Sequence, residues 1–193
     1  VFIELTDHLR CPAPHPESYL VLLPDRIEQR RVLAGTLGCP SCGRVVQIRD
    51  GIADFGGDPP AVEPTVLSAA ALATLLGVQG PGGYLALMGA AARLWPELSE
   101  LLPGIHLVLL NPDPIPAEVE GASVLRAGHS PLKSRSMRGV AAARDHGRDP
   151  GWAEAAVEAV LPGNRAVLEG PTSVPPGLEV LGEAAGVWVG RRR

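Results

Sequence analysis

The sequence predicts an α/β protein: a small N-terminal β module, then a doubly wound, mostly parallel sheet that closes with a C-terminal hairpin. Three observations carry this. The stretch CPSC at 39–42 places two cysteines around a tight turn with a short β run after it. The proline-rich stretch GGDPPAVEP at 56–64 marks a boundary. Beyond it, short apolar runs alternate with helical patterns, as in βαβ units. The expected division is therefore a module at 1–55, a linker at 56–64 and a larger domain at 65–193.

The elements follow in order. ELTDHLR at 4–10 reads as a short helical turn, and strands are expected at 19–23, 31–37 and 45–48, the last closed by the turn Asp50-Gly51. TVLSAAALATLLG at 65–77 is helical, with Pro64 suited to a first turn. YLALM at 84–88 follows the turn GPGG and is a continuous apolar run, hence a buried strand. AAARLWPELSELL at 90–102 is a helix that Pro96 kinks or restarts. Strands are expected at 105–110, 122–126, 138–143 and 165–170, an amphipathic helix at 151–161 ended by Pro162-Gly163, and a hairpin at 178–191 turning at 184–186. No internal repeat is visible.

With 193 residues, 46% hydrophobic and 20% charged, the chain is globular and has room for one good core, or a modest core plus a metal-stapled module. The formal charge of −4 argues against strong non-specific binding to nucleic acid, which is weakly supported as a partner. A local basic set, Arg126, Lys133, Arg135, Arg138, Arg144 and Arg148 with the tail Arg191-Arg192-Arg193, reads as a solvated face and a frayed end. No apolar run is long enough to span a membrane, and no signal peptide is visible. Cysteines taken up by a metal fit a reducing compartment, so the expected location is cytoplasmic.

C-x-x-C is either half of a tetrahedral zinc site or a redox dithiol. Redox pairs work at a helix N-terminus, where the dipole stabilises the thiolate. Here Gly43 and then the strand pattern VVQIR follow, which suits a metal knuckle whose N–H groups face the sulfurs. The other half should come from HLRCPAPHPES at 8–18, which holds the remaining cysteine. Cys11 pairs with either His8 or His15. His15, stiffened between Pro14 and Pro16, is favoured over His8 in its helical turn. The expected ligands are Cys11, His15, Cys39 and Cys42, a closed set in which zinc is structural.

The pattern of L-R-C-P, a strand pair, then G-x-L-x-C-P-x-C-G and I-R-D-G-I over residues 9–55 resembles the small zinc-ribbon proteins that activate tRNA, rRNA and release-factor methyltransferases. The usual version has four cysteines. Here Pro14 stands where the second would fall, and His15 comes one residue late. The order of pieces over 64–191 resembles the class I S-adenosylmethionine-dependent methyltransferase fold, best at SPLKSRSMRGVAAARD (130–145) and EAAVEAVLPGNRAVLEG (154–170). That resemblance implies a glycine-rich turn after the first strand and an acid at the end of the second, which takes the ribose hydroxyls. This chain keeps Gly89 but has Leu87 for the acid before it and Ala91 and Arg93 for the later glycines. Asn111 stands where the ribose acid is expected. Any cofactor site would thus involve Gly89 and Asn111, and loss of the charged hydrogen bond alone weakens binding about ten- to hundredfold.

GPGG at 80–83 precedes its strand and reads as a turn. His106, His129 and His146 read as surface or capping groups, and no serine, histidine and acid grouping suggests hydrolysis. Two classes remain. One is a non-catalytic, zinc-binding, methyltransferase-like protein that acts as an interaction or activating partner of another protein, such as a methyltransferase or a translation-related protein. The other is an active S-adenosylmethionine-dependent methyltransferase with an atypical site, acting on RNA or protein. The eroded cofactor motifs favour the first. A thiol-redox protein is disfavoured by the strand after CPSC.

Overall fold

The structure, a computed structural model, describes residues 1–116 and 119–193. The apolar runs become β1 (Val21–Glu28), β2 (Arg31–Gly38), β3 (Val45–Arg49), β4 (Ile52–Asp54), β5 (Tyr84–Met88) and β6 (His106–Leu110). They continue as β7 (Ala122–Arg126), β8 (Met137–Ala142), β9 (Val160–Glu169), β10 (Leu178–Ala184) and β11 (Val187–Arg192). These strands form one sheet in the order β1-β2-β3-β4-β7-β6-β5-β8-β9-β11-β10. Neighbours from β4 through β9 are parallel, and both flanks are antiparallel. With β5 counted as the first strand, the last seven run 3-2-1-4-5-7-6. That is a Rossmann-like order with an antiparallel strand inserted before the last. The order reverses between β5 and β8, so the carboxyl ends of those strands frame the crevice where such sheets bind ligands.

Strands buried on both faces need cover on both. Leu85, Leu87, Leu107, Leu109, Ala141 and Val167 pack against α1 (Ala69–Leu76) and α2 (Trp95–Leu101). Their alternates Ala86, Met88, Val108, Leu110, Val140 and Leu168 face the other way, in one cluster with Trp152, Ala156 and Val157 of the later helix Pro150–Ala159. Among the described residues no helix joins β6 to β7 or β7 to β8. That face is covered instead by the N-terminal 3-10 helix Ile3–His8 and its flanks, which bury Leu5 and Leu9 completely. The same segment also puts Phe2 and His8 beside Tyr84 and His106.

Several boundaries differ from expectation. The first strand runs on through Pro24 to Glu28, with a register shift between Pro24 and Arg26 that accommodates the missing N–H. Ile52–Asp54, not expected as a strand, pairs antiparallel with β3 and parallel with β7 and so joins the N-terminal module to the main sheet. The helix expected from residue 65 starts at Ala69, capped by Ser68, whose hydroxyl accepts from Ala71 N–H. The segment before it is drawn out because Thr65 Oγ and Val66 N–H both donate to the buried carboxylate of Glu169. At Pro96 the expected long helix is split: a 3-10 turn, Gly89–Leu94, precedes α2, with Pro96 in its first turn. The supposed frayed tail is ordered strand, since Arg191 and Arg192 belong to β11. Among the described residues no helix is long and apolar enough to cross a membrane.

Candidate metal centre and the crevice at the switch point

Two turns converge at one end of the N-terminal module. In the first, Cys39 N–H donates to Arg44 O (2.8 Å) and Gly43 N–H to Cys39 O (2.9 Å). Gly43 adopts φ +72°, where a side chain would be strained. In the second, Cys11 N–H donates to Ser18 O (3.3 Å) and His15 N–H to Ala13 O (2.8 Å), so the prolines fold the arm back on itself. Ser41 Oγ, 3.0 Å from Ser18 Oγ, ties the two turns together.

The ligand atoms of Cys11, His15, Cys39 and Cys42 all lie within 4.8 Å of one another. Cys11 Sγ is 3.7 Å from Cys42 Sγ, and Cys39 Sγ is 3.5 Å from His15 Nε2. A tetrahedron with Zn–S near 2.3 Å and Zn–N near 2.0–2.1 Å has S–S edges of about 3.8 Å and S–N edges of about 3.5 Å. The donor set and its spacing therefore fit zinc, with all four positions filled by the chain. His15 Nδ1 donates to Pro16 O (2.7 Å), leaving the Nε2 lone pair turned to the sulfurs, as a second-shell bond orients a metal-bound imidazole. Burial pushes the Cys11 thiol up to about 11. Cys39 is buried too, yet backbone N–H groups of Cys42 and Ser41, with the thiols of Cys42 and Cys11, draw it down to about 6. His8 lies elsewhere, its ring 4.7 Å from Tyr84.

The residues expected at a cofactor site are arranged differently from expectation. Gly89 has φ +61° and follows directly after β5 at the switch point. A Cβ built there would lie 2.2 Å from Asp145 Oδ2 and 2.4 Å from Oδ1. The space above the glycine is thus filled by a carboxylate of the chain itself, delivered by the short helix α3 (Arg144–Gly147) that follows β8. Asn111 is buried and fully engaged. Its Oδ1 accepts from Ala127 N–H (2.8 Å), while Nδ2 donates to Ala127 O (3.0 Å) and to His146 Nε2 (3.0 Å). The Ala127 N–H fixes which way the amide points, so Nε2 is the acceptor and Nδ1 of His146 carries the proton, 3.2 Å from Asp145 Oδ1. His146, expected near the surface, is completely buried, edge-on to Trp152 of α4 (Pro150–Ala159). Arg93, which stands for one of the later glycines, turns outward and pairs with Asp113 (3.6 Å). Leu87 and Ala91 are core residues.

Asp145 and His146 are the residues that sequence reasoning missed. A short polar stretch after a strand looks like any exposed turn, and only the closeness of Gly89 and Asn111 shows that it points inward. His106 is half-buried rather than a surface group: its Nε2 shares a hydrogen bond with Ser123 Oγ (2.9 Å), which also accepts from Phe2 N–H (2.8 Å).

No family model matches the chain, and no curated protein matches it. Among solved structures, it is similar to a sarcosine dimethylglycine methyltransferase from Galdieria sulphuraria, at 15% identity and TM-score 0.40 over 51% of this chain and 43% of that one. It is also similar to a complex of the Haloferax volcanii Trm112 methyltransferase activator with a methyltransferase, at 16% identity and TM-score 0.37, covering 50% and 49%. A third likeness is to the antibiotic-resistance methyltransferase Kmr, at 11% identity and TM-score 0.43, covering 66% and 94%. The chain spans less than half the length of the first two. Its own strand order, not these distant likenesses, carries the reading of its fold.

Proposed function

We propose that this protein is a zinc-binding, non-catalytic member of the methyltransferase-like sheet architecture, acting through contact with a protein partner. In this reading residues 1–55 form a ribbon stapled by structural zinc on Cys11, His15, Cys39 and Cys42, 56–64 form its linker, and 65–193 form a scaffold without a working cofactor site. The observation that carries it is the Asp145 carboxylate above Gly89, 2.2 Å from where a Cβ would stand. A cofactor needs that bare backbone for close approach, and Asn111, the one remaining group for a ribose, has both amide hydrogens and its oxygen engaged by Ala127 and His146. Zinc here would supply folding energy and no Lewis acid, because four protein ligands leave no position for water.

The ribbon offers a surface for the partner. Tyr19, Val21, Leu23 and Val45 are all exposed large apolar residues, and Val21, Gly38 and Val45 stand in one cross-strand row. Clustered apolar exposure of this kind marks interaction sites.

Calorimetric titration of zinc-loaded protein with S-adenosylmethionine tests the reading. No heat of binding is expected at physiological cofactor concentrations. Micromolar affinity, or a structure with the cofactor ordered against Gly89 and Asn111, would promote the active methyltransferase instead.

A further inference from the structure

We propose that the chain carries a second, unrelated ligand site: a pocket for a phosphate group built by Arg138, Arg165 and Arg191. It lies beneath the amino ends of β5 and β8, at the opposite end of the sheet from the filled crevice. The three arginines come from adjacent strands. Gly139, next to Arg138 on β8, pairs with Arg165 on β9, and Arg165 pairs with Arg191 on β11. Together with Asn164 they line a cavity of about 350 Å³.

Among the described residues, the only carboxylate in register with the three arginines is Glu179, opposite Arg191 on β10, and neither it nor any other closes to an ion pair with them. Arg165 and Arg191 stand directly opposite each other, where like charges repel. A bound oxyanion turns that repulsion into attraction.

Two of the guanidinium groups are also held in place by backbone. Arg138 donates to the carbonyls of Gly80 (3.1 Å) and Pro81 (3.0 Å), and also to those of Gly82 and Gln79. Its stem passes over Gly83, where a Cβ would lie 2.5 Å from Arg138 Cδ. Arg165 donates to Leu75 O (3.2 Å) in the last turn of α1 and passes over Gly77, where a Cβ would lie 2.8 Å from its Nη1. The glycine-rich turn at 80–83 is therefore more than a turn, since its carbonyls and its missing side chain set the position of Arg138. All these partners are neutral carbonyls, so the arginines are oriented without losing their charge. Guanidinium groups fixed in this way, with N–H donors to spare, match a phosphate in bidentate fashion. The net charge of −4 makes this a local site rather than part of a general basic surface.

The test is calorimetric titration of the purified 193-residue chain with pyrophosphate at constant ionic strength. Saturable binding is expected. Arg191→Gln, at a side chain with no hydrogen bond among the described residues, should weaken it at least about tenfold without loss of fold. Arg165→Gln should do the same, while Arg26→Gln on the distant edge strand should leave binding unchanged. Absence of saturable binding, or equal affinity in the wild type and Arg191→Gln, overturns the proposal. A single-stranded oligonucleotide that competes with pyrophosphate, and whose binding is lost in Arg191→Gln, identifies a phosphodiester chain as the source of the phosphate. Failure of the oligonucleotide to compete assigns the pocket to a small phosphate ester.

Discussion

Two histidines of this chain show how environment sets what an imidazole does. His15 is held by Pro16 O with its Nε2 3.5 Å from Cys39 Sγ, a pose in which it can share a bound ion with the sulfurs. His15→Ala should therefore abolish stoichiometric zinc in metal analysis. The loss should exceed the roughly 10–100-fold that even an outer-shell partner's removal costs. His8→Ala, beside Tyr84, should retain the metal, and zinc retained in His15→Ala would transfer the fourth ligand elsewhere. His106 is the opposite case. Burial, with the charges of the Val1 amino group and then Arg31 adding to it, lowers its pKa from 6.5 to about 4, so the folded state keeps the ring neutral. Below pH 6.5 the unfolded chain takes up a proton that the folded chain refuses. Stability from this group is thus complete above 6.5 and lost as pH falls from there through about 4. Allowing for solvent screening, the loss is on the order of 1–2 kcal/mol. Urea unfolding at pH 7 and 4.5 should show a smaller drop for His106→Gln than for the wild type, and identical drops would refute the assignment.

At the scale of elements, the turn after β5 and the short helix α3 are matched to one another. Gly89 is needed twice: its φ of +61° disfavours a side chain, and Asp145 occupies the place where one would go. Gly89→Ala should cost about 1–2 kcal/mol for the left-handed backbone alone, and more from the clash. In an Asp145→Ala background only the backbone part should remain. A double-mutant cycle by urea denaturation should accordingly give a coupling of at least about 1 kcal/mol. Additive effects would mean that Asp145 does not sit over Gly89. The helices follow the same local logic. Ser68 accepts from Ala71 N–H at the start of α1, and Asp149 accepts from Trp152 N–H (3.0 Å) at the start of α4, with Pro150 next in line.

For the molecule as a whole, the pairing of β4 with β7 links the candidate metal centre to the main sheet. Ala53 pairs with Leu125, Phe55 N–H donates to Arg126 O (2.8 Å) and Gly128 N–H to Gly56 O (2.8 Å), so the hydrogen bonding continues past the end of β4 into the proline-rich stretch. Phe55 and Ile48 share a buried cluster with Met88 and Val140. If the Cys11, His15, Cys39 and Cys42 cluster holds zinc as proposed, chelation should destabilise more than the N-terminal module. A ligand at a thousandfold its dissociation constant contributes about 4 kcal/mol, and its removal should lower the thermal midpoint of the near-UV signal of Trp95, Trp152 and Trp188, all outside residues 1–55, as well. A tryptophan transition unmoved by chelation would show that the two parts unfold separately.

What the sequence determined by itself is local. Short apolar runs, the alternation of strand and helix, and the CPSC turn with its glycine are written within windows of a few residues, and hydrophobic period and turn chemistry read them directly. Helix starts were less legible, because the Glu169 carboxylate that holds Thr65 and Val66 extended is about a hundred residues away. The three-residue β4 was illegible, being too short to show a period, and its strand character comes from partners on both sides. The sequence already favoured His15 over His8 beside the cysteines, whereas the tertiary structure alone decided which side chains fill the crevice. It also decided that three arginines, scattered over more than fifty residues, line one pocket. Each of these depends on where distant segments come to rest against one sheet. Packing and charge between such segments leave no periodic trace in the chain.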